Sequence, residues 1–177
     1  GTVTVGAGGS INVDSKGYPG GTQAASGLGT GGGRKISSAS ETGGGGGGHG
    51  GMGGSGQTNL SGQGIAGSTY DAALAPIDLG SGGAGGYYFS CTTIAGAGGG
   101  AVEINLTGGG TFTLTGDITA KGQAGTGSCD DAQGGGAGGS VYINFASNGT
   151  FTGAGNVYVS GGNGGTNTDD GGGGGGG

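Results

Sequence analysis

Residues 101–125 read AVEINLTGGGTFTLTGDITAKGQAG, and residues 140–164 read SVYINFASNGTFTGAGNVYVSGGNG. Laid on each other they match without a gap at an offset of 39 residues. Val102 falls on Val141, Ile104 on Ile143, Asn105 on Asn144, Thr111-Phe112-Thr113 on Thr150-Phe151-Thr152, and Ile118 on Val157. The same offset places Gly122 on Gly161, Gly125 on Gly164, and Asp130-Asp131 on Asp169-Asp170. A fixed period of this length marks stacked structural units. Within a unit, Val102, Ile104 and Leu106 alternate with Glu103 and Asn105, and Phe112 and Leu114 alternate with threonines. Period-2 alternation of β-branched and aromatic residues reads as short strands with one inward face. Glycine-rich corners separate three such strands per unit. Equivalent strands of successive units would lie side by side and parallel, about 4.8 Å apart. The expected fold is therefore all-β: a glycine-rich parallel β-helix or solenoid, with rungs of about 39 residues and long polyglycine arms.

Composition limits what else the chain can be. It holds 61 Gly in 177 residues without a strict Gly-X-Y register, which excludes collagen. Hydrophobic residues make up only 29%, a level usually seen in disordered chains. Disorder of that kind also needs high net charge, however, and only 8% of residues here are charged. The apolar residues also gather in strand-like runs, so a thin core extended along an axis is expected. Glycine arms would have to hold themselves by backbone hydrogen bonds, in polyproline-II-like form with close Cα–H···O approach. A net charge of −6 with four basic residues argues against nucleic acid and anionic membranes as partners. No apolar run approaches the roughly 20 residues of a membrane helix.

Residues 1–20 read as a degenerate rung. Gly1-Thr2-Val3-Thr4-Val5 parallels Gly110-Thr111-Phe112-Thr113-Leu114, and Ser10-Ile11-Asn12-Val13 takes the part of Asp117-Ile118-Thr119-Ala120. Residues 21–100 form an enlarged glycine-rich arm, and 101–139 and 140–177 are the two full rungs of one continuous domain. Within the arm, residues 66–80 read as a loop or single turn around Pro76, and residues 85–100 return to strand character. The chain opens at Gly1 without Met, the mark of a processed product or an excerpt. It ends at Gly177 where the next first strand is due, an unfilled socket that the leading strands of another copy would fit. Cys91 and Cys129 lie 38 residues apart, one short of the repeat, which sets them on adjacent rungs within reach of a disulfide. Such a bond implies an oxidising, extracellular setting.

The order of features resembles the glycine-rich β-helix repeats of large secreted and cell-surface microbial proteins. The matching residues are INVDSKGY (11–18), GGGGGGHGGMGG (43–54), STYDAALAPIDLGSGG (68–83), AGGGAVEINLTG (97–108) and GTFTLTGDITAKG (110–122). The resemblance spans nearly the whole chain and implies an extracellular structural or adhesive role. It brings no catalytic residues, and this chain is much shorter than those proteins.

No catalytic constellation is expected. Glutamates are confined to Glu41 and Glu103, and His49 sits alone in a glycine run without a second imidazole or thiol at ligand spacing. No cofactor is expected beyond Ca2+ as a weak candidate, on the recurring pairs Asp130, Asp131, Asp169 and Asp170. The alternative for these pairs is a solvated corner that discourages lateral aggregation. Sequons begin at Asn59, Asn105 and Asn148, which are the glycosylation candidates. Thr111, Thr113, Thr150 and Thr152 form a Thr-X-Thr array over two rungs, ordinary for outward strand positions or water-ordering as in β-helical ice-binding proteins.

The expected function is that of a structural subunit of an extracellular filament or surface fibre. Its partner is itself, head to tail, through Thr2, Val3, Thr4, Val5, Ile11 and Val13 on one end and Val157 and Val159 on the other. The alternatives are a carbohydrate-binding adhesin or phage-tail-tip module, with glycans as partner and Tyr70, Tyr87 and Tyr88 exposed, and an ice-binding protein.

Overall fold

The structure is a computed structural model that describes residues 1–35, 42–57, 63–87, 94–126, 131–146, 148–167 and 170–177. It contains eight strands: β1 (Thr2–Val5), β2 (Ser10–Asn12), β3 (Ala101–Leu106), β4 (Thr111–Leu114), β5 (Asp117–Thr119), β6 (Ser140–Phe145), β7 (Thr150–Thr152) and β8 (Asn156–Tyr158). Among the described residues there is no helix, and therefore none long and apolar enough to cross a membrane. The strands form three parallel sheets, ordered β1-β4-β7, β2-β5-β8 and β3-β6.

Register follows the repeat. Ala101 pairs with Ser140, Thr111 with Thr150, and Asp117 with Asn156, so like residues stack on like. The leading segment joins as a third layer, with Thr2 opposite Thr111 and Ser10 opposite Asp117. Its extra length between the two strands is taken up in a turn through Gly8, which has φ +75°, a conformation open to glycine at no cost. The layers are thus β1 and β2, then β3 to β5, then β6 to β8.

The inward faces of all three sheets enclose one thin core of Val5, Val102, Leu106, Phe112, Leu114 and Ile118. In two columns burial follows the layer, although Val5 of the leading layer is buried as well. In one column Val3, Phe112 and Phe151 are 38%, 0% and 51% exposed; in the next, Ile118 is 0% and Val157 44% exposed. Outward positions carry threonine columns three deep, Thr2-Thr111-Thr150 and Thr4-Thr113-Thr152. The Thr113 and Thr152 hydroxyls lie 3.1 Å apart.

The glycine arms leave the strands and pack beside them as a bundle of extended limbs. Residues 134–139 lie at its centre. Gly134 and Ala137 donate to Ala84 and Ser81, Gly135 and Gly138 to Gly172 and Gly175, and Gly136 and Gly139 to Gln123 and Ala120. The same limb accepts from Gly96 and Gly99, from Gly47, and from Gly162. Each neighbour is thus met at every third residue. That is the period of a polyproline-II helix, whose peptide groups point outward because it has no internal hydrogen bonds. Limbs approach so closely that side chains are excluded. A Cβ on Gly136 would run into the Ala97 carbonyl, and one on Gly174 into the Gly136 carbonyl.

The strand-like run expected within residues 85–100 falls mostly at 88–93, outside the described residues. The described part holds an isolated antiparallel bridge between Tyr87 and Thr42. Residues 95–100 instead run as a glycine limb, with Ala95 donating to Gly21 and Gly98 to Tyr18. Ala and Gly offer no side chains to fill a pleated surface, and the close approach of neighbouring limbs suits the polyproline form.

Candidate functional site

Two features stand out chemically: the open layers at both ends of the stack, and a buried cluster around His49.

At one end, β7 and β8 pair only with β4 and β5, leaving their other edges without a partner strand among the described residues. Phe151, Val157 and Tyr158 are exposed there, and Val159 is half-buried. At the other end β1 and β2 are equally one-sided. Thr2, Val3 and Thr4 are exposed, Ile11 and Val13 half-buried, and Val5 buried. All eight residues expected at an assembly interface therefore lie on or beside the two terminal layers.

His49 is 1% exposed and far from alone. Its Nδ1 donates to the Gly138 carbonyl at 3.0 Å, and its Nε2 lies 3.2 Å from Asp71 Oδ2. Its ring stands 4.8 Å from that of Tyr70, tilted by 48°. Asp71 holds the loop that carries it. Oδ1 accepts from the Ala72 N–H at 2.7 Å, and Oδ2 from the Asp78 N–H at 2.9 Å and the Ser140 hydroxyl at 3.2 Å. Its backbone is left-handed, with φ +76°, which Asp tolerates better than most residues. Burial pushes its carboxyl up, but the Asp78 and Ala72 amides, with His49 and Ser140, outweigh that and hold it below the ordinary carboxylate value. Tyr70 donates its hydroxyl to the Leu79 carbonyl and accepts from Ser81 at 2.8 Å. Burial pushes its phenol up; the Ser81 hydrogen bond opposes this and the Asp78 carboxylate adds to it.

A serine, a histidine and an aspartate together invite a comparison with hydrolytic triads, and the geometry refuses it. A relay needs the nucleophile and the carboxylate on opposite ring nitrogens. Here Ser140 Oγ (3.4 Å) and Asp71 both address Nε2, while Nδ1 is committed to backbone. Ser140 is 2% exposed, and its single hydroxyl proton is shared between the Asp78 carbonyl, at 2.7 Å, and Asp71 Oδ2. The cluster is a clasp that ties the 70–80 loop to the start of β6. Above it lies an open cleft of ≈ 600 Å³, lined by His49, Thr69, Tyr70, Asp71, Pro76 and Gly177.

The remaining expected residues divide. Cys91, Cys129, Asn59, Asp130, Asp169 and Tyr88 lie outside the described residues. Asp131 is buried, and Asp170 Oδ1 accepts from the Asn167 N–H at 3.1 Å. Among the described residues no group of three or more His, Cys, Asp or Glu is placed to hold a metal ion. Asn105 is exposed on β3 with its amide donating to Glu103 at 2.7 Å, and Asn148 is exposed in a turn at φ +45°. Tyr70 is half-buried in the wall of the cleft, and Tyr87 is half-buried with the Lys35 ammonium 5.6 Å from its ring centre.

No protein-family model, no curated protein and no solved structure matches the chain.

Proposed function

We propose that the protein is the structural subunit of an extracellular fibre, a parallel β-helix whose copies stack head to tail. The observation that carries this reading is the burial gradient along the columns of Phe112 and Ile118. These two, with a strand on either side, are fully buried, and their outer-layer counterparts Val3, Ile11, Phe151 and Val157 are exposed or half-buried. Exposed strand edges with apolar side chains are ordinarily a liability, which makes them informative where they recur at both ends.

The joint repeats an interface already present inside the chain. β7 pairs with β1 of the next copy, Thr150 on Thr2, Phe151 on Val3 and Thr152 on Thr4. β8 pairs with β2, Asn156 on Ser10, Val157 on Ile11 and Tyr158 on Asn12. The contact is heterologous, so it propagates as a filament and does not close as a dimer. The acidic, weakly charged surface, the exposed sequon residues Asn105 and Asn148, and the resemblance to cell-surface repeats support an extracellular setting.

Electron microscopy of the unheated chain at rising concentration tests the reading. Thin filaments of uniform width are expected. Discrete monodisperse particles at every concentration would overturn it.

A further inference from the structure

The glycine bundle has an open layer of its own, on the same side as β7 and β8. Inside the molecule, Gly122 and Gly125 donate across layers to Ser160 and Asn163, at 2.9 and 2.8 Å. Gly135 and Gly138 likewise donate to Gly172 and Gly175, both at 2.9 Å. One layer further on, the first pair corresponds to Gly161 and Gly164. The second pair corresponds to Gly173 and Gly176, because Gly174 and Gly177 repeat the bonds of Gly136 and Gly139, to Gly162 and Val159. None of these four N–H groups has an acceptor among the described residues. All four residues are at least partly exposed, while their neighbours Gly162, Gly165, Gly172 and Gly175 are buried.

A second observation concerns space. A Cβ on Gly135 or Gly138 would strike the carbonyl of Gly162 or Val159 in the next layer. On Gly173 and Gly176 the nearest atoms to a Cβ are 3.8 and 3.9 Å away, so the isolated chain has room for a side chain at both positions.

We propose that this amide face is the second half of the joint and receives the first arm of another copy. This inference rests on the head-to-tail reading above and extends it from the strands to the glycine bundle. The occupant is a second copy because the opposite end of the chain carries what the face lacks. In the layer sequence Ser160 corresponds to Lys121, and Lys121 to Asp14. Val13 and Ser15 already donate to Thr119 and Lys121, which fixes that alignment as far as Asp14. Beyond it the leading arm leaves the repeat: Ser15 is left-handed at φ +57°, and Tyr18, where Gly125 would stand, donates to Gly80. The Asp14 carbonyl accepts from no described donor. Gly161 therefore donates to Asp14 of the next copy, in step with the β7–β1 and β8–β2 pairs. Gly173 and Gly176 are kept bare by the limb that then lies over them.

The double variant Gly173→Ala/Gly176→Ala tests this on the full 177-residue chain. Its thermal unfolding as a monomer should match the unsubstituted chain, because the added methyls meet only ordinary van der Waals contacts. Its critical concentration for filament formation should rise at least about tenfold, the equivalent of about 1.4 kcal/mol at the joint. Amide exchange on the unsubstituted chain reads the same contact without a mutation: Gly161, Gly173 and Gly176 exchange freely as monomer and gain protection on assembly. Filaments with an unchanged critical concentration in the variant, or unprotected glycines in the filament, overturn the amide-face proposal and leave the strand joint standing. An unsubstituted chain that never assembles overturns both.

Discussion

Phe112 and Phe151 occupy one column, in register on neighbouring strands with ring centres 5.6 Å apart, yet one is 0% and the other 51% exposed. The same side chain in the same rung position is core in one layer and surface in the next. The difference is a missing neighbour. Truncating each phenylalanine should therefore give different costs in the monomer. Phe112→Ala should destabilise it by about 3–5 kcal/mol, the range for large-to-small changes in a closed core. Phe151→Ala should cost well under half of that. Urea denaturation of the dispersed chain measures both, and equal losses would show that the terminal layer is not open.

The glycine bundle should be intolerant of single methyl groups at its centre. Gly136→Ala places a Cβ against the Ala97 carbonyl, between two backbones that cannot rotate away. The limb must then separate from residues 95–100 or 120–125, breaking hydrogen bonds on both sides. Loss of the cooperative unfolding transition is expected by circular dichroism or calorimetry. A variant melting as sharply and as late as the unsubstituted chain would refute the close-packed bundle.

Asp71 should give the fold an acid limb. Its carboxyl titrates lower in the folded chain than its ordinary 3.8, so it contributes stability fully above that ordinary value. The contribution is lost as pH falls through the lower folded one. Stability should hold from neutral pH down to about pH 5 and then decline. Asp71→Asn should flatten that decline and lower stability at neutral pH by roughly 1.5–3 kcal/mol, the range for hydrogen bonds to a charged group. Denaturation midpoints from pH 7 to pH 2 read both effects.

Tyr70→Phe removes a hydroxyl that both donates to Leu79 and accepts from Ser81, while leaving the ring on His49. Ser81 in turn accepts from the Gly31 N–H at 3.0 Å, so it keeps one partner. A loss of about 1–1.5 kcal/mol is expected, near the net value of one hydrogen bond. Limited proteolysis should show faster cutting within residues 70–80 if the loop is held by this group.

The layered strands were legible because their chemistry is local and repeated. Thr111-Phe112-Thr113 against Thr150-Phe151-Thr152 needs no knowledge of the fold to align, and the observed register is that alignment. The leading layer was legible for the same reason, through Thr2-Val3-Thr4-Val5. The clasp was not. His49 meets Asp71 and Ser140 across 22 and 91 residues, through glycine segments whose course no side-chain pattern announces. One trace existed: Ser140 stands where the first repeat has Ala101, a hydroxyl at the start of a strand that enters the core. The free amides of Gly161 and Gly164 were equally hidden. A run of glycines looks the same in sequence whether its N–H groups are bonded or bare.

Because each limb turns through a third of a circle per residue, the bundle is read in a frame of three. Gly122 and Gly161 point the same way one layer apart because each stands two residues after an equivalent position, Ala120 and Val159. A single glycine inserted within a limb would swing every donor beyond it by about 120°, onto the wrong neighbour. Ala120 to Gly139 and Val159 to Gly177 differ by one residue in span, yet both end on the same bond, Gly139 to Ala120 and Gly177 to Val159. Length is therefore free to vary between the two limbs of an arm and not along them. Indels in such chains should collect between the limbs and not within them.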